Sequence, residues 1–522
     1  MYAISCAALL GLGATIATAQ MTNTSAPWPH QTFKSEPSFK PPVWKTTRGT
    51  GTPADGYIFY APVQVVNTPD PAPMIVTNDG DLVWHGPYAA GFAHSVWEYK
   101  GEPVLAYWNG TGFAEPLGRG YGYVILLDQS YNLVANVTLP GNFLTSQGLT
   151  FETNIDNHEI FITNRGTVLV TATNVTQADL TSVGGAADGW VVDAQFYEID
   201  IETNEILFSW SSVEHADSTI PFTDSVYTLG TDGLTGQNQS VAWGYFHINA
   251  VAPYNDGYII SSRFMCSEYH IDSQGEVAWR LGGVDGGDFT QGPDTNFCYQ
   301  HDIRPVYSDV DNYTVPKVAT LHLFDNENCQ SDNGTTPSSG LILEIDTEKM
   351  HVDRVARYMN PDKELYAVAQ GSFQILRGPG SHNNVLAGYG FIPFIQEFTS
   401  DGRSVQVIQF GAAVATPLSY RAFKESWTGC PTTNPAVTVE KASGGKADVY
   451  VSWNGATDVA SWKVLGGDTE GNLHVLKQAS STGFETKITV PATAEVQVQA
   501  VLKKGSVCER SGGTGLSSVI EV

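Results

Sequence analysis

The sequence predicts an all-β protein, a six-bladed β-propeller followed by a small C-terminal β-sandwich, and three observations carry that expectation. Over 522 residues, 52 Gly and 27 Pro punctuate a chain that is 42% apolar, 11% aromatic and only 16% charged. That balance favours strands joined by tight turns and is ample for a large core. A hairpin-like unit recurs along the chain, and its texture changes after about residue 436.

The recurring unit is a β-rich run, a turn of Asp, Asn or Gly, and a second β-rich run. Its clearest copies are "QFYEIDIETNEILFSW" (195–210), "SEYHIDSQGEVAWRLGG" (267–283) and "GLILEIDTEKMHVDRV" (340–355). Weaker copies are "MIVTNDGDLVWHG" (74–86), "YVILLDQSYNLVANVTL" (123–139) and "FIQEFTSDGRSVQVIQF" (394–410). Apolar residues alternate on both sides of each turn, as hairpins require. Six copies at spacings of about 50 to 75 residues suit six blades. A large β-helix or a pair of sandwiches are the competing architectures. No segment shows a long helical period.

The tail has short Val/Thr/Lys-rich strands, "ADVYVSWNG", "ASWKVLGG" and "AEVQVQAVLKKG", near ten-residue spacing with a Trp on an early strand. This pattern resembles a fibronectin type III module. The expected organisation is a leader over 1–19, a propeller over 20–430 and a sandwich over 436–522. Cys430 and Cys508 are placed to staple the ends of the sandwich, although spacing does not fix connectivity.

The first twenty residues, "MYAISCAALLGLGATIATAQ", form an apolar run ending in Ala17-Thr18-Ala19, which reads as a secretory signal cleaved before Gln20. No other stretch approaches 18 consecutive apolar residues, so no membrane span is expected. A secreted, glycosylated protein also fits the seven N-x-S/T sequons at Asn23, Asn109, Asn136, Asn174, Asn238, Asn312 and Asn333. Without the leader the cysteines are Cys266, Cys298, Cys329, Cys430 and Cys508, an odd number that allows at most two disulfides. No C-x-x-C spacing occurs, which excludes a zinc ribbon or a thioredoxin-like motif.

The formal net charge is −27, from 54 acidic and 27 basic side chains. Such a surface repels nucleic acid and anionic membranes, so neither is an expected partner. It repels an anionic small molecule at long range as well, so any anion site must be a locally positive pocket. There is no P-loop, no G-x-S-x-G elbow and no H-E-x-x-H, and "GGVDGGD" (282–288) follows a hairpin with no helix behind it.

What remains is a set of polar residues in strand-like surroundings: His158 in "NIDNHEIFIT", His247 and Asn249 in "WGYFHINAV", Arg263 in "YIISSRFMC" and His301 in "CYQHDIRP". The three histidines precede three consecutive copies of the hairpin at comparable places. In a propeller the early strand of each blade lines the channel, so these side chains are expected to converge. Strand alternation puts His247 and Asn249 on one face and turns Asp302 away from His301. Three imidazoles, an amide and a guanidinium form an anion site, and a neutral imidazole is also a nucleophile. Three histidines also suit Zn²⁺, but a guanidinium in the same pocket argues against it. Calcium at the acidic turn "LGGVDGGD" lacks any EF-hand spacing. No metal and no cofactor is expected.

Taken in order, "DNHEIFITNRGTVLVTAT", "GWVVDAQFYEIDIETNEILFSWSS", "YFHINAV", "GYIISSR", "WRLGG", "QHDIR", "LFDN" and "SYRAFKESWTG" resemble the arylsulfotransferase family, especially its secreted fungal branch, from about residue 45 to 430. The resemblance implies a six-bladed propeller in which a channel histidine is transiently sulfated by an aryl sulfate and a phenol then takes the sulfuryl group. It implies no nucleotide sulfate donor and no metal. Matched motif to motif, His301 stands where the family has its nucleophile. His158, His247, Asn249 and Arg263 stand where it binds sulfate and assists the leaving phenolate, with His158 as the acid. Phe264 departs from the pattern, because the family often has a second His after the "SSR" arginine, and the C-terminal sandwich lies outside the bacterial pattern. Two other readings stay open. One is an extracellular glycan- or phenolic-ligand-binding propeller with Trp108, Tyr121 and Trp190 as stacking platforms. The other is a different reaction in the same channel, such as glycan cleavage or secondary-metabolite tailoring.

Overall fold

The computed structural model describes residues 28–63, 71–87, 91–113, 117–216, 219–327, 336–412, 417–510 and 515–522. The leader expected over 1–19, the sequons at Asn23 and Asn333, and Cys329 lie outside the described residues.

Each of the six hairpins read from the sequence forms the third and fourth strands of one blade. They are Met74–Val76 with Leu82–His85, Arg119–Leu127 with Leu133–Val137, Gly189–Asp200 with Ile206–Ser211, Ser267–Ile271 with Val277–Gly282, Ser339–Asp346 with His351–Tyr358, and Phe394–Phe398 with Ser404–Gln409. Their turns place Gly80, Tyr131, Asn204, Gly275, Met350 and Gly402 in the left-handed region. Gly and Asn reach that conformation at least cost. Tyr131 does not, and its side chain is held by other contacts described below.

Numbering blades 1 to 6 by these hairpins, the innermost strands are Ala422–Glu425, Phe92–Tyr99, Ile155–Ile162, Ile248–Tyr254, His301–Pro305 and Ser372–Ile375. The ring closes at both chain ends. The late strand Ala422–Glu425 is the inner strand of blade 1, pairing with Tyr57–Tyr60, and the early strand Lys45–Arg48 is the outer strand of blade 6. Apolar side chains fill the spaces between neighbouring blades, as with Ile58, Tyr60 and Met74 against Leu386, Ile395 and Ile408. Burial of each such side chain is worth roughly 1.5–3 kcal/mol.

Charge ties the inner strands together at the axis. Glu159 of blade 3 accepts from Arg421 Nη1 of blade 1 at 2.7 Å and lies 2.8 Å from Arg304 Nη1 of blade 5. Arg304 also lies 2.9 Å from Asp302, whose other oxygen accepts from the Phe373 N–H of blade 6 at 3.1 Å. Arg421 Nη2 donates to the Asn249 carbonyl of blade 4 at 2.9 Å. Burial pushes Glu159 up, but Arg304 and Arg421 outweigh it and hold the carboxyl below its usual range.

After the propeller, strands Ala436–Ala442, Lys446–Ser452 and Glu485–Pro491 form one sheet, and His474–Ser480, Val459–Gly467, Glu495–Leu502 and Ile520–Glu521 form another. The two pack as a sandwich over Val449, Val451, Trp462, Val464, Ile488 and Val498. It docks on the outer strand of blade 1, where Asn454 exchanges hydrogen bonds with both backbone groups of His85 at 2.8 Å. Tyr131 donates to the Gly455 carbonyl at 2.8 Å, accepts from Trp427 Nε1 at 3.0 Å and stacks on Trp84, contacts that offset its unfavourable backbone. Cys430 and Cys508 form a disulfide joining the end of the propeller to the sandwich, and Cys266 pairs with Cys298 between blades 4 and 5. Among the described residues no helix is long and apolar enough to cross a membrane.

Candidate active site

The inner strands of blades 3 and 5 carry His158 and His301, and His247 just before the inner strand of blade 4, to one cavity of about 490 Å³, which Arg263 also lines. The rings of His158 and His247 meet edge to face with centroids 4.7 Å apart. Phe92, Phe113, Leu117 and Leu418 supply an apolar wall, and no described lining residue is a carboxylate. Among the described residues no group of three or more His, Cys, Asp or Glu is arranged to hold a metal ion.

His301 is fixed at both ring nitrogens. Asn326 Nδ2 donates to the carbonyls of Ala367 and Gln370 at 2.8 and 2.9 Å, which assigns its Oδ1 as an acceptor. That oxygen lies 2.7 Å from His301 Nδ1, so Nδ1 carries the proton and Nε2 the lone pair. The Gln370 N–H points at Nε2 from 3.1 Å. Burial first, then the charge of Arg263, hold His301 well below the usual histidine range, against a smaller opposing effect of Asn326. His247 is depressed in the same direction by burial, His158 and Arg263. Both rings are neutral near neutral pH.

His158 has a carboxylate behind it: Nδ1 is hydrogen-bonded to Asp156, whose other oxygen accepts from the Gly120 N–H at 2.7 Å. Arg263 Nη2 donates to the Val368 carbonyl at 3.0 Å, and its Nε is buried with no hydrogen-bond partner. Tyr420 packs edge-on against both His158 and His301, and its buried hydroxyl has no partner either. Burial raises that phenol far above its usual range, so it remains a donor.

Two expectations need correction. Asn249 does not share the cavity face with His247. His247 sits just before its strand with φ of 62°, and a bulge between Ile248 and Ala250 breaks the alternation. Asn249 lies behind the wall and donates to the Gln300 carbonyl at 2.6 Å, next to His301. Trp108 and Tyr121 are buried rather than exposed as stacking platforms, and Trp108 Nε1 donates to the Ile155 carbonyl at 2.9 Å. Asp302 makes no contact with the His301 ring, because its carboxylate belongs to the axial charge network.

Asn326, Asp156, Gln370, Tyr420 and Arg119 were not singled out in the sequence. Asp156 was within reach of the alternation rule, being two residues from His158 on the same strand. Tyr420 and Asn326 lie inside the family-like segments "SYRAFKESWTG" and "LFDN".

The six-bladed propeller thus carries a cavity lined by imidazoles and guanidiniums, with no carboxylate among its described lining residues. The arylsulfotransferase (ASST) family model matches residues 96–411, and the chain belongs to that family. The membership supports an aryl-sulfotransferase-like function. No curated protein matches. Among solved structures, the chain is similar to the Dos1 propeller at 11% identity, over 81% of this chain and 79% of that one, with a TM-score of 0.28. It is similar to a Penicillium chrysogenum α-L-arabinanase at 9% identity, over 76% and 94% of the chains, with a TM-score of 0.32. A Fusarium graminearum α-L-arabinofuranosidase matches at 7% identity, over 76% and 93%, with a TM-score of 0.32. At these scores none of them bears on the reaction.

Proposed function

We propose that this chain transfers a sulfuryl group from a phenolic sulfate ester to a phenolic acceptor through a sulfated His301, without a nucleotide donor. One observation carries the reading: His301, with its proton fixed on Nδ1 by Asn326, shares with Arg263 a cavity in which no described lining residue is a carboxylate.

In the first half-reaction the Nε2 lone pair attacks sulfur, the sulfur–oxygen bond to the aryl group breaks, and the departing phenolate takes a proton from His158. In the second, the acceptor phenol returns a proton to His158 as its oxygen attacks sulfur. The nitrogen–sulfur bond then breaks and the pair of electrons returns to His301. Asp156 orients His158 through its Nδ1. Arg263, His247 and the Tyr420 hydroxyl serve the non-bridging oxygens, whose charge the transition state redistributes. The Gln370 N–H leaves Nε2 as the new bond forms and becomes a further donor to the same oxygens. Asn249 acts from behind, holding the Gln300 backbone beside the nucleophile. A leader cleaved before Gln20 and an extracellular setting belong to the same proposal, in keeping with the two disulfides.

The test is release of nitrophenol from p-nitrophenyl sulfate with and without added phenol. Wild type should release it in the presence of acceptor with ping-pong kinetics, and His301→Ala should not. No release by wild type, or equal release by the variant, overturns the reading.

A further inference from the structure

A second guanidinium faces the cavity, and the reaction proposed above does not use it. Arg119 opens the third strand of blade 2, lines the cavity and is 6% exposed. Its Nη2 has no hydrogen-bond partner, and among the described residues no carboxylate makes an ion pair with it. Asp156 is nearby, but its oxygens are occupied by His158, Thr171 and the Gly120 N–H. Asn157, 8% exposed, also lines the cavity and carries a side-chain oxygen without a partner. Burial outweighs the help that Arg119 takes from the Tyr121 hydroxyl and from the charge of Asp156, so this guanidinium represents a standing cost that a bound anion relieves.

Placement separates its task from that of Arg263. Arg119 enters from the seam between blades 2 and 3, where the Gly120 N–H bonds Asp156 behind His158, whereas His301 comes from blade 5. Arg263 is the charge that acts most strongly on His301, whereas Arg119 is felt at His247. Phe92, Phe113 and Leu117 line the same cavity and suit the faces of an aromatic ring. With no carboxylate among the described lining residues, this pocket reverses locally the repulsion set by the net charge of −27.

We infer that the aryl substrates of this protein carry a second anionic group, in the simplest case a carboxylate, which pairs with Arg119 while the hydroxyl or sulfate end faces His301. The inference rests on the sulfuryl-transfer reading for the chemistry, but not for the anion subsite itself. A guanidinium pairs with a carboxylate by charge-assisted N–H donation, and the unpaired Nη2 is open to it. Arg119 is then what distinguishes phenolic acids from neutral phenols.

The experiment compares 4-hydroxybenzoate with its neutral isostere 4-hydroxybenzamide, using the full chain. Calorimetric binding to wild type, Arg119→Lys and Arg119→Gln is followed by the same two compounds as acceptors from p-nitrophenyl sulfate. Wild type should prefer the benzoate by roughly tenfold to a hundredfold, the worth of one charge-assisted pair. Arg119→Gln should abolish the preference by weakening the benzoate alone, and Arg119→Lys should keep part of it. Equal binding of both compounds by wild type overturns the inference without any variant. Equal loss of both in a folded Arg119→Gln also overturns it, and assigns Arg119 to the sulfuryl group instead. If neither compound accepts sulfate but charge-selective binding vanishes in Arg119→Gln, the anion subsite stands and the transfer reading falls. If transfer proceeds with no charge preference, the transfer reading stands and the subsite falls.

Discussion

Asn326 determines which nitrogen of His301 is free to react. Its amide nitrogen is committed to two carbonyls, so its oxygen, 2.7 Å from Nδ1, must accept a proton and leave the lone pair on Nε2. Because burial and Arg263 hold this imidazole well below its usual range, the acid limb of kcat/KM for p-nitrophenyl sulfate should fall below the ordinary histidine value of about 6.5. Asn326→Asp puts a carboxylate against Nδ1, favours the imidazolium and should move that limb upward. Asn326→Ala should cost about 10²-fold or more by releasing the tautomer. A limb that stays in place in Asn326→Asp would mean that another group titrates.

The His158–Asp156 pair should reveal itself through the leaving group. A strongly acidic phenol such as nitrophenol departs without help, whereas unsubstituted phenol needs a proton. His158→Gln should therefore lower transfer from phenyl sulfate by about 10²-fold, within the span of general acid catalysis, and transfer from p-nitrophenyl sulfate by much less. A uniform loss across leaving groups contradicts the assignment of His158 as the acid.

The axial charge network predicts a stability effect at a distance from the chemistry. Glu159→Gln removes the anion shared by Arg304 and Arg421, each within 2.8 Å of it. Leaving buried cations without that partner should destabilise the propeller by about 3–5 kcal/mol, read as a lower urea midpoint. A change below about 1 kcal/mol would mean that Asp302 alone neutralises both arginines.

Glu425, on the inner strand of blade 1, gives a pH prediction of definite sign. Burial pushes its carboxyl up to about 7, against a hydrogen bond from Gln374. The folded state therefore binds a proton that the unfolded chain has already lost, and stability falls as pH rises from about 4.3 towards 7. Glu425→Gln keeps an acceptor for Gln374 and lacks this titration. Its stability relative to wild type should grow by about 1–3 kcal/mol across that window and then level off. Parallel pH dependences of wild type and variant would rule out a raised carboxyl at this position.

The fold was legible because each blade repeats one strong local signal. Turn-forming residues such as Gly80, Asn204, Gly275 and Gly402 sit between alternating apolar runs, and the same hairpin occupies the same two strands each time. The three histidines were legible for a related reason, since position within the repeat sets distance from the axis. Alternation failed at His247, where the backbone leaves the extended region with φ of 62° and a bulge follows. Asn249 was misplaced for that reason. Asn326 and Arg119 were hidden differently. Asn326 follows a strand end, where an amide reads as a turn residue, and the arginine in "GRGYGY" reads as part of a glycine-rich loop. Only the joining of blades 2 and 3, through Gly122 beside Ile155, brings Arg119 next to the histidine-bearing strand.

The central claim is that His301 carries the sulfuryl group between donor and acceptor. Intact-protein mass spectrometry after incubation with p-nitrophenyl sulfate and no acceptor tests it most directly. A mass gain of one sulfuryl group is expected, mapped to His301, discharged by added phenol and absent in His301→Ala. A gain that persists in His301→Ala, or transfer to phenol with no sulfated protein at any time, would contradict it.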